Sequence, residues 1–191
     1  MIDLDNDRVL VESTLKGDTE SFSKLVLKYQ DRVYSFLVKM TLSREDAEDI
    51  LQDVFIKAYN NLYKYDKRWC FSTWLYSIAI NTFKSHYKRK KRLNAMDCCE
   101  EIPHAPDRYT NPEITAEYNE QRAEIVRLIE ELTLEQKTAL VLKHIKGLSF
   151  KEIGHIMEIS PEAAKMKVQR AKYTLCKKLD ESRKRGVLNE M

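Results

Sequence analysis

"LSFKEIGHIMEISPEAAKMKVQRAKYTL", residues 148–175, holds two helix starts in close succession. Ser149 and Glu152 stand at capping-box spacing, which predicts a first helix ending near Met157. Ser160 followed by Pro161 is an N-cap followed by the helical position where proline is best tolerated, so a turn of about three residues separates the two helices. Ala164, Val168, Ala171 and Leu175 form an inner stripe on the second helix, and Gly154 is small enough for a close crossing. Glu162, Lys165, Met166, Gln169 and Arg170 are left outside. This is the pattern of a helix-turn-helix whose outward donors reach base edges, while Lys165, Lys167, Arg170 and Lys172 also suit phosphates. A plain helical hairpin with a solvated basic side fits the same features.

Outward from this stretch the helical period continues almost everywhere. The 191 residues include only four glycines and four prolines, and strand-like alternation is missing. From Ser21 to Lys39 the positions Phe22, Leu25, Val26, Tyr29, Val33, Phe36 and Leu37 mark one buried face. Ser43 and Asp46, at capping-box spacing, open a second helix with Ile50, Leu51, Val54, Phe55, Ala58, Tyr59 and Leu62 inside and Glu48, Asp49, Gln52 and Asp53 outside. A third runs from an aromatic start near Phe71 into the cations Lys88–Arg92. Near Leu93 the period dissolves into a stretch with three of the four prolines. It returns with Ile125, Leu128, Ile129 and Leu132, then with a capping box at Thr133 and Gln136 and a stop at Gly147. The expected fold is all-α: two small helical domains, 1–92 and 119–191, joined by an acidic, proline-containing linker at 93–118.

Charge is distributed unevenly. The formal net charge is only +3, yet residues 84–92 carry six Lys or Arg and no acid, 97–120 carry seven acids against Arg108, and 161–185 carry nine bases against three acids. Cys70, Cys98, Cys99 and Cys176 form no C-x-x-C pair and read as free thiols. Cys98, Cys99 and His104 are a weak basis for a metal site without a second cysteine pair, so no metal is expected. The acidic start lacks the pattern of a signal peptide, which predicts a cytoplasmic protein. No H-E-x-x-H, G-x-x-x-x-G-K or G-x-S-x-G occurs, and the four histidines show no ligand or triad spacing. The chain is therefore expected to be no enzyme, with no cofactor and no small-molecule substrate.

Four stretches, at 22–37, 46–59, 71–89 and 148–175, together resemble the bacterial RNA polymerase sigma factors of the extracytoplasmic-function (ECF) type. The likeness covers nearly the whole chain. It implies that the first domain docks on core RNA polymerase and opens the −10 promoter element, while the second reads the −35 element as duplex. By position in the motifs, Asp49, Gln52 and Asp53 are implied to contact the polymerase. Tyr65, Trp69, Trp74, Asn81, Lys84 and Lys88 are implied to contact −10 DNA, a flipped base sitting in the loop Tyr63–Cys70. Ser160, Glu162, Lys165, Met166, Gln169, Arg170 and Lys172 make up the −35 set. For Tyr65, Trp69, Phe71 and Trp74 two roles stay open, core ring or stacking platform, and the acidic face also reads as an ordinary solvated one. The linker acids Asp97, Glu100, Glu101 and Asp107 fit either RNA mimicry or solubilising disorder. A membrane-anchored anti-sigma factor is a further implied partner. The rival is a conventional helix-turn-helix regulator that binds duplex DNA without polymerase. Two departures stand out: Glu158 where the family's turn usually has glycine, and Met166 where a small polar residue is typical.

Overall fold

The computed structural model describes residues 4–96, 127–129 and 131–189, and among them the backbone is helical with no strand. In chain order the helices are α1 (Leu4–Leu15), α2 (Thr19–Thr41), α3 (Arg44–Asn60), α4 (Phe71–Met96), α5 (Leu134–His144), α6 (Phe150–Met157) and α7 (Pro161–Asn189), with a short 3-10 turn at Leu62–Lys64. The all-helical expectation holds. Chain contacts divide the protein into two compact units, the first built on Met1–Glu101 with His155–Glu158 and the second on Ile102–Gly154 and Ile159–Met191. The linker acids, Cys98, Cys99 and His104 lie outside the described residues, whereas Cys70 and Cys176 are free thiols. No described helix is long and apolar enough to cross a membrane.

In the first unit α2 starts at Thr19, two residues before the expected Ser21, because Asp18 caps it. The Asp18 carboxylate accepts from the backbone N–H groups of Glu20 at 3.0 Å and Ser21 at 3.3 Å. Leu25, Tyr29, Val33, Phe36 and Leu37 are buried as the spacing predicts, packed against Ile50, Val54 and Ala58 of α3 and Leu75, Ala79, Ile80 and Phe83 of α4. Tyr59 departs from the inner face: it lies at the rim, 45% exposed, with its ring edge-on to Phe22. At the start of α3 only half of the expected box forms. Ser43 Oγ accepts from the Asp46 N–H at 3.2 Å, but the Asp46 carboxylate, too short to reach back, pairs with Lys90 Nζ of α4 at 2.6 Å. The helix expected to dissolve near Leu93 continues to Met96.

Helix α1 has no counterpart in the sequence reading. Val9 and Leu15 are 59% and 50% exposed, so its apolar face is thin and Val11 is its buried anchor. A polar contact does the rest. Asp7, 1% exposed, accepts from Lys28 Nζ at 2.5 Å and from the Tyr29 hydroxyl, so a carboxylate that would be costly to bury alone is charge-paired and hydrogen-bonded.

The second unit packs α5 against α7. Both bonds of the expected box at α5 form: the Gln136 N–H donates to Thr133 Oγ1 at 3.3 Å and the Thr133 N–H to Gln136 Oε1 at 3.2 Å. The helix stops at His144 and the chain turns at Gly147, whose φ of +69° is free of Cβ strain only in glycine. Leu142, Ile153, Ala164, Val168 and Ala171 form the core.

Burial pushes the Tyr76 phenol up to about 12, against the opposing pull of the Arg32 cation, and it pushes Tyr29 up as well, helped by the hydrogen bond to Asp7. Below the ordinary tyrosine value of 10.0 both folded and unfolded chains keep these protons, and the stabilisation is complete. Above it the unfolded chain releases them first, so stability falls as pH rises toward the folded value. The urea midpoint of the first unit should therefore drop between about pH 9 and pH 12, and Tyr76→Phe should make that drop shallower. Identical pH profiles for the two proteins would contradict this.

Candidate nucleic-acid interface

The turn between α6 and α7 is built from four local devices. The Ser149 N–H donates to Glu152 Oε2 at 2.8 Å while Ser149 Oγ accepts from the Glu152 N–H at 3.2 Å, starting α6. Ser160 Oγ accepts from the Ala163 N–H at 3.1 Å, starting α7 at Pro161. Between them the Ile159 N–H donates to the Gly154 carbonyl at 2.9 Å. Glu158 takes φ +57°, so the turn keeps a left-handed residue although it lacks the expected glycine. The departure in sequence is absorbed as backbone strain, about 1–2 kcal/mol for a residue with a Cβ. Gly154 is needed for the turn and not only for a helix crossing: a Cβ there would lie 2.7 Å from the Ile159 carbonyl oxygen and 3.2 Å from the Pro161 nitrogen.

With Ala164, Val168 and Ala171 buried, the opposite side of α7 presents Glu162, Lys165, Met166, Gln169, Arg170 and Lys172 to solvent, with Ser160 exposed at its start. Lys167 does not join them. Its amine pairs with Glu135 of α5, which removes it from the expected phosphate donors. Tyr173, one turn past Gln169 and 72% exposed, was missed in the sequence. It lines a shallow groove with Gln136, Gln169, Arg170 and Thr174. A lone tyrosine on a basic helix gives no periodic signal; its offset of seven residues from Met166 was the available clue. Across from Lys172, His144 is held below its usual value, chiefly by desolvation and then by the Lys172 and Lys143 cations.

On α4, Asn81 and Lys88 are exposed and Lys84 is half-buried, along one side of the helix. Lys90, inside the run of cations Lys88–Arg92, is tied to Asp46. The aromatic rings split between the two roles left open. Phe71 is buried, its ring 5.4 Å from Tyr29, 5.7 Å from Tyr65 and 5.6 Å from Trp74 between centroids. Tyr65 and Trp74 are half-buried, their ring centroids 5.5 Å apart. The Tyr65 hydroxyl donates to the Trp69 carbonyl at 2.7 Å, and burial pushes that phenol up. Trp69 is half-buried and its backbone N–H donates to the Asp66 carbonyl at 3.1 Å, folding the loop on itself.

On α3, Asp49, Gln52 and Asp53 share an exposed face, and among the described residues none forms a side-chain hydrogen bond or ion pair. Ile56, 59% exposed, extends that face by one turn and was not anticipated.

The sigma-70 region 2 family model matches residues 25–93, and the sigma-70 region 4 model matches residues 122–175. The chain is 33% identical to the RNA polymerase sigma-H factor of Pseudomonas aeruginosa over 186 residues, covering 94% of this chain and 96% of that protein. It is 34% identical to the ECF RNA polymerase sigma-E factor of Escherichia coli K12 over 180 residues, or 91% and 94% of the two chains. In fold it is similar to CnrH, solved in complex with the cytosolic domain of CnrY (TM-score 0.67, 21% identity, covering 92% of this chain and 98% of CnrH). It is similar also to the sigma factor RpoE of Bartonella quintana, solved with the anti-sigma factor NepR (TM-score 0.66, 20% identity, covering 84% and 98%). The chain belongs to the sigma-70 family, in its extracytoplasmic-function group. It is an alternative sigma factor that directs transcription initiation, and no finding favours the conventional regulator.

Two substitutions probe the turn. In Gly154→Ala the forced shift, about 1–3 kcal/mol, outweighs the roughly 1 kcal/mol of helix propensity gained, so the second unit should lose up to about 2 kcal/mol. Glu158→Gly should gain up to about 1 kcal/mol once the added freedom of the unfolded chain is subtracted. Amide hydrogen exchange of α6 and α7 reads both; a stabilised Gly154→Ala would refute the steric argument.

Proposed function

We propose that the first unit docks on core RNA polymerase through Asp49, Gln52 and Asp53 and opens the −10 element with α4 and the loop Tyr63–Cys70, and that the second unit reads the −35 element as duplex with α7. Residues 1–92, 93–118 and 119–191 would then be docking and melting domain, linker and −35 domain. The observation that carries this reading is the one-sided α7: its small residues are buried while Lys165, Gln169 and Arg170 project outward from a capped turn. Such a helix fits a major groove, with Lys165 and Gln169 toward base edges and Lys172 toward phosphates.

For the −10 element, the half-buried rings of Tyr65, Trp69 and Trp74 lie where a base leaving the duplex needs a new stacking partner, a contact that contributes about 1–3 kcal/mol per base. Asn81, Lys84 and Lys88 then follow the backbone. The acids of α3 suit a basic partner, and Ile56 beside them supplies apolar area at the centre of such a contact. CnrH and the Bartonella sigma factor were each solved with a bound partner, NepR being an anti-sigma factor, and we assign this chain a partner of the same kind. A membrane-anchored anti-sigma would hold a cytoplasmic sigma factor at the inner face of the membrane. The role is binding and not catalysis.

Run-off transcription with core polymerase on genomic fragments tests the whole reading; absence of any promoter-specific transcript would overturn it. Asp53→Lys should weaken core binding about tenfold or more with helix content unchanged, measured by titration with core enzyme. Lys165→Ala and Gln169→Ala should each change the preferred −35 sequence by about 1–3 kcal/mol at one position. By contrast Lys172→Ala should lower affinity evenly across sequences and reduce the salt slope by about one. Equal losses for all three on every sequence would reject that division of labour.

A further inference from the structure

Contacts inside the loop Tyr63–Cys70 fix part of its shape, and the rings of Phe71 and Trp74 pack on its Tyr65. Asp66 holds Arg68 through the backbone N–H at 3.0 Å and the guanidinium at 2.6 Å, and Tyr65 and Trp69 are joined as described. Lys67 is reached from α1. Arg8 Nη2 donates to the Lys67 carbonyl at 3.0 Å, and Glu12 Oε1 accepts from Lys67 Nζ at 2.6 Å. Arg8 and Glu12 are four residues apart, one turn of the same helix face, and they grip the main chain and side chain of a single loop residue. The Lys67 amine holds the Glu12 carboxyl below the usual carboxylate range, which agrees with the pairing. Behind them, on the inner face of the same turn, Asp7 bolts α1 to Lys28 and Tyr29.

We propose that α1 is a strut for this loop, with Arg8 and Glu12 as positioning residues that set it in its base-receiving shape before DNA arrives. The inference rests on the loop's role proposed above and adds the element that presets it. A loop fixed beforehand loses less conformational freedom when it captures an unpaired base, which favours opening. A purely electrostatic reading predicts the opposite: if Glu12 only neutralised Lys67, removing it would free a cation for phosphate and strengthen promoter binding.

The test uses holoenzyme assembled from core polymerase and full-length variants, with open-complex formation timed on a promoter in fully duplex and in pre-melted form. Glu12→Gln should slow opening on duplex about threefold, and with Arg8→Ala about tenfold. Core affinity and helix content should not change, and the pre-melted template should lose much of the defect. Reversing the pair, Glu12→Lys with Lys67→Glu, should recover the Glu12→Gln loss to within about twofold. Trp69→Ala serves as the control for the loop itself. If Trp69→Ala slows opening while the Arg8 and Glu12 variants do not, the strut is overturned and the loop's role stands. If neither set has an effect, both fall. Faster or tighter promoter binding by Glu12→Gln would also overturn the proposal in favour of simple neutralisation.

Discussion

Tyr29 is the point on which the first unit depends. Its hydroxyl donates to the buried Asp7 of α1 and its ring packs against Phe71, the first residue of α4, so one side chain of α2 joins three helices. Aromatic pairs of this kind contribute about 0.5–1.5 kcal/mol beyond the area they bury. Phe71 in turn touches Tyr65 within the loop and Trp74 on α4. The packing that holds the helices together is thus continuous with the rings proposed to face DNA, and the site inherits its rigidity from the core.

The constraint also explains why α4 begins in rings and ends in cations. Its first turns must fill the space between α2 and the loop, where Phe71, Leu75, Tyr76 and Ala79 are buried. By Lys84 the helix has passed the core and its sides are free to carry charge. Even there one cation is spent on structure, since Lys90 reaches back to Asp46 at the start of α3. That pair also places a positive charge beside the acidic face, so the two oppositely charged surfaces of the unit meet at a seam.

The long, strongly periodic helices were legible because their buried faces repeat every three or four residues, and the helix-turn-helix was legible because Ser149, Ser160 and Pro161 punctuate it. What stayed hidden were contacts that carry no period. Helix α1 buries little apolar surface and is fixed by Asp7, which in sequence is one acid among several in an acidic start. Asp46 and Lys90 are 44 residues apart, and so read as a cap and a tail and not as a pair. Glu158 was visible as a departure but its consequence was not, because sequence gives the cost of a left-handed residue and not whether the surrounding turn enforces it.

The side of α7 proposed to face DNA is small, and diversion of Lys167 to Glu135 makes it smaller. Few phosphate contacts mean a shallow salt slope and weak binding by the second unit alone, because the sequence-independent part of affinity grows with each cation engaged. On α4 the tie to Asp46 likewise takes one cation, Lys90, out of reach of phosphates. Two weak readers on one chain become useful when a third body holds them over their sites, since the second contact then forms at the high effective concentration set by the tether. Weakness of each surface is therefore consistent with a protein that finds promoters only as part of polymerase: free chains would not occupy promoters to no purpose, and an enzyme leaving the start site could shed contacts that individually cost little to break.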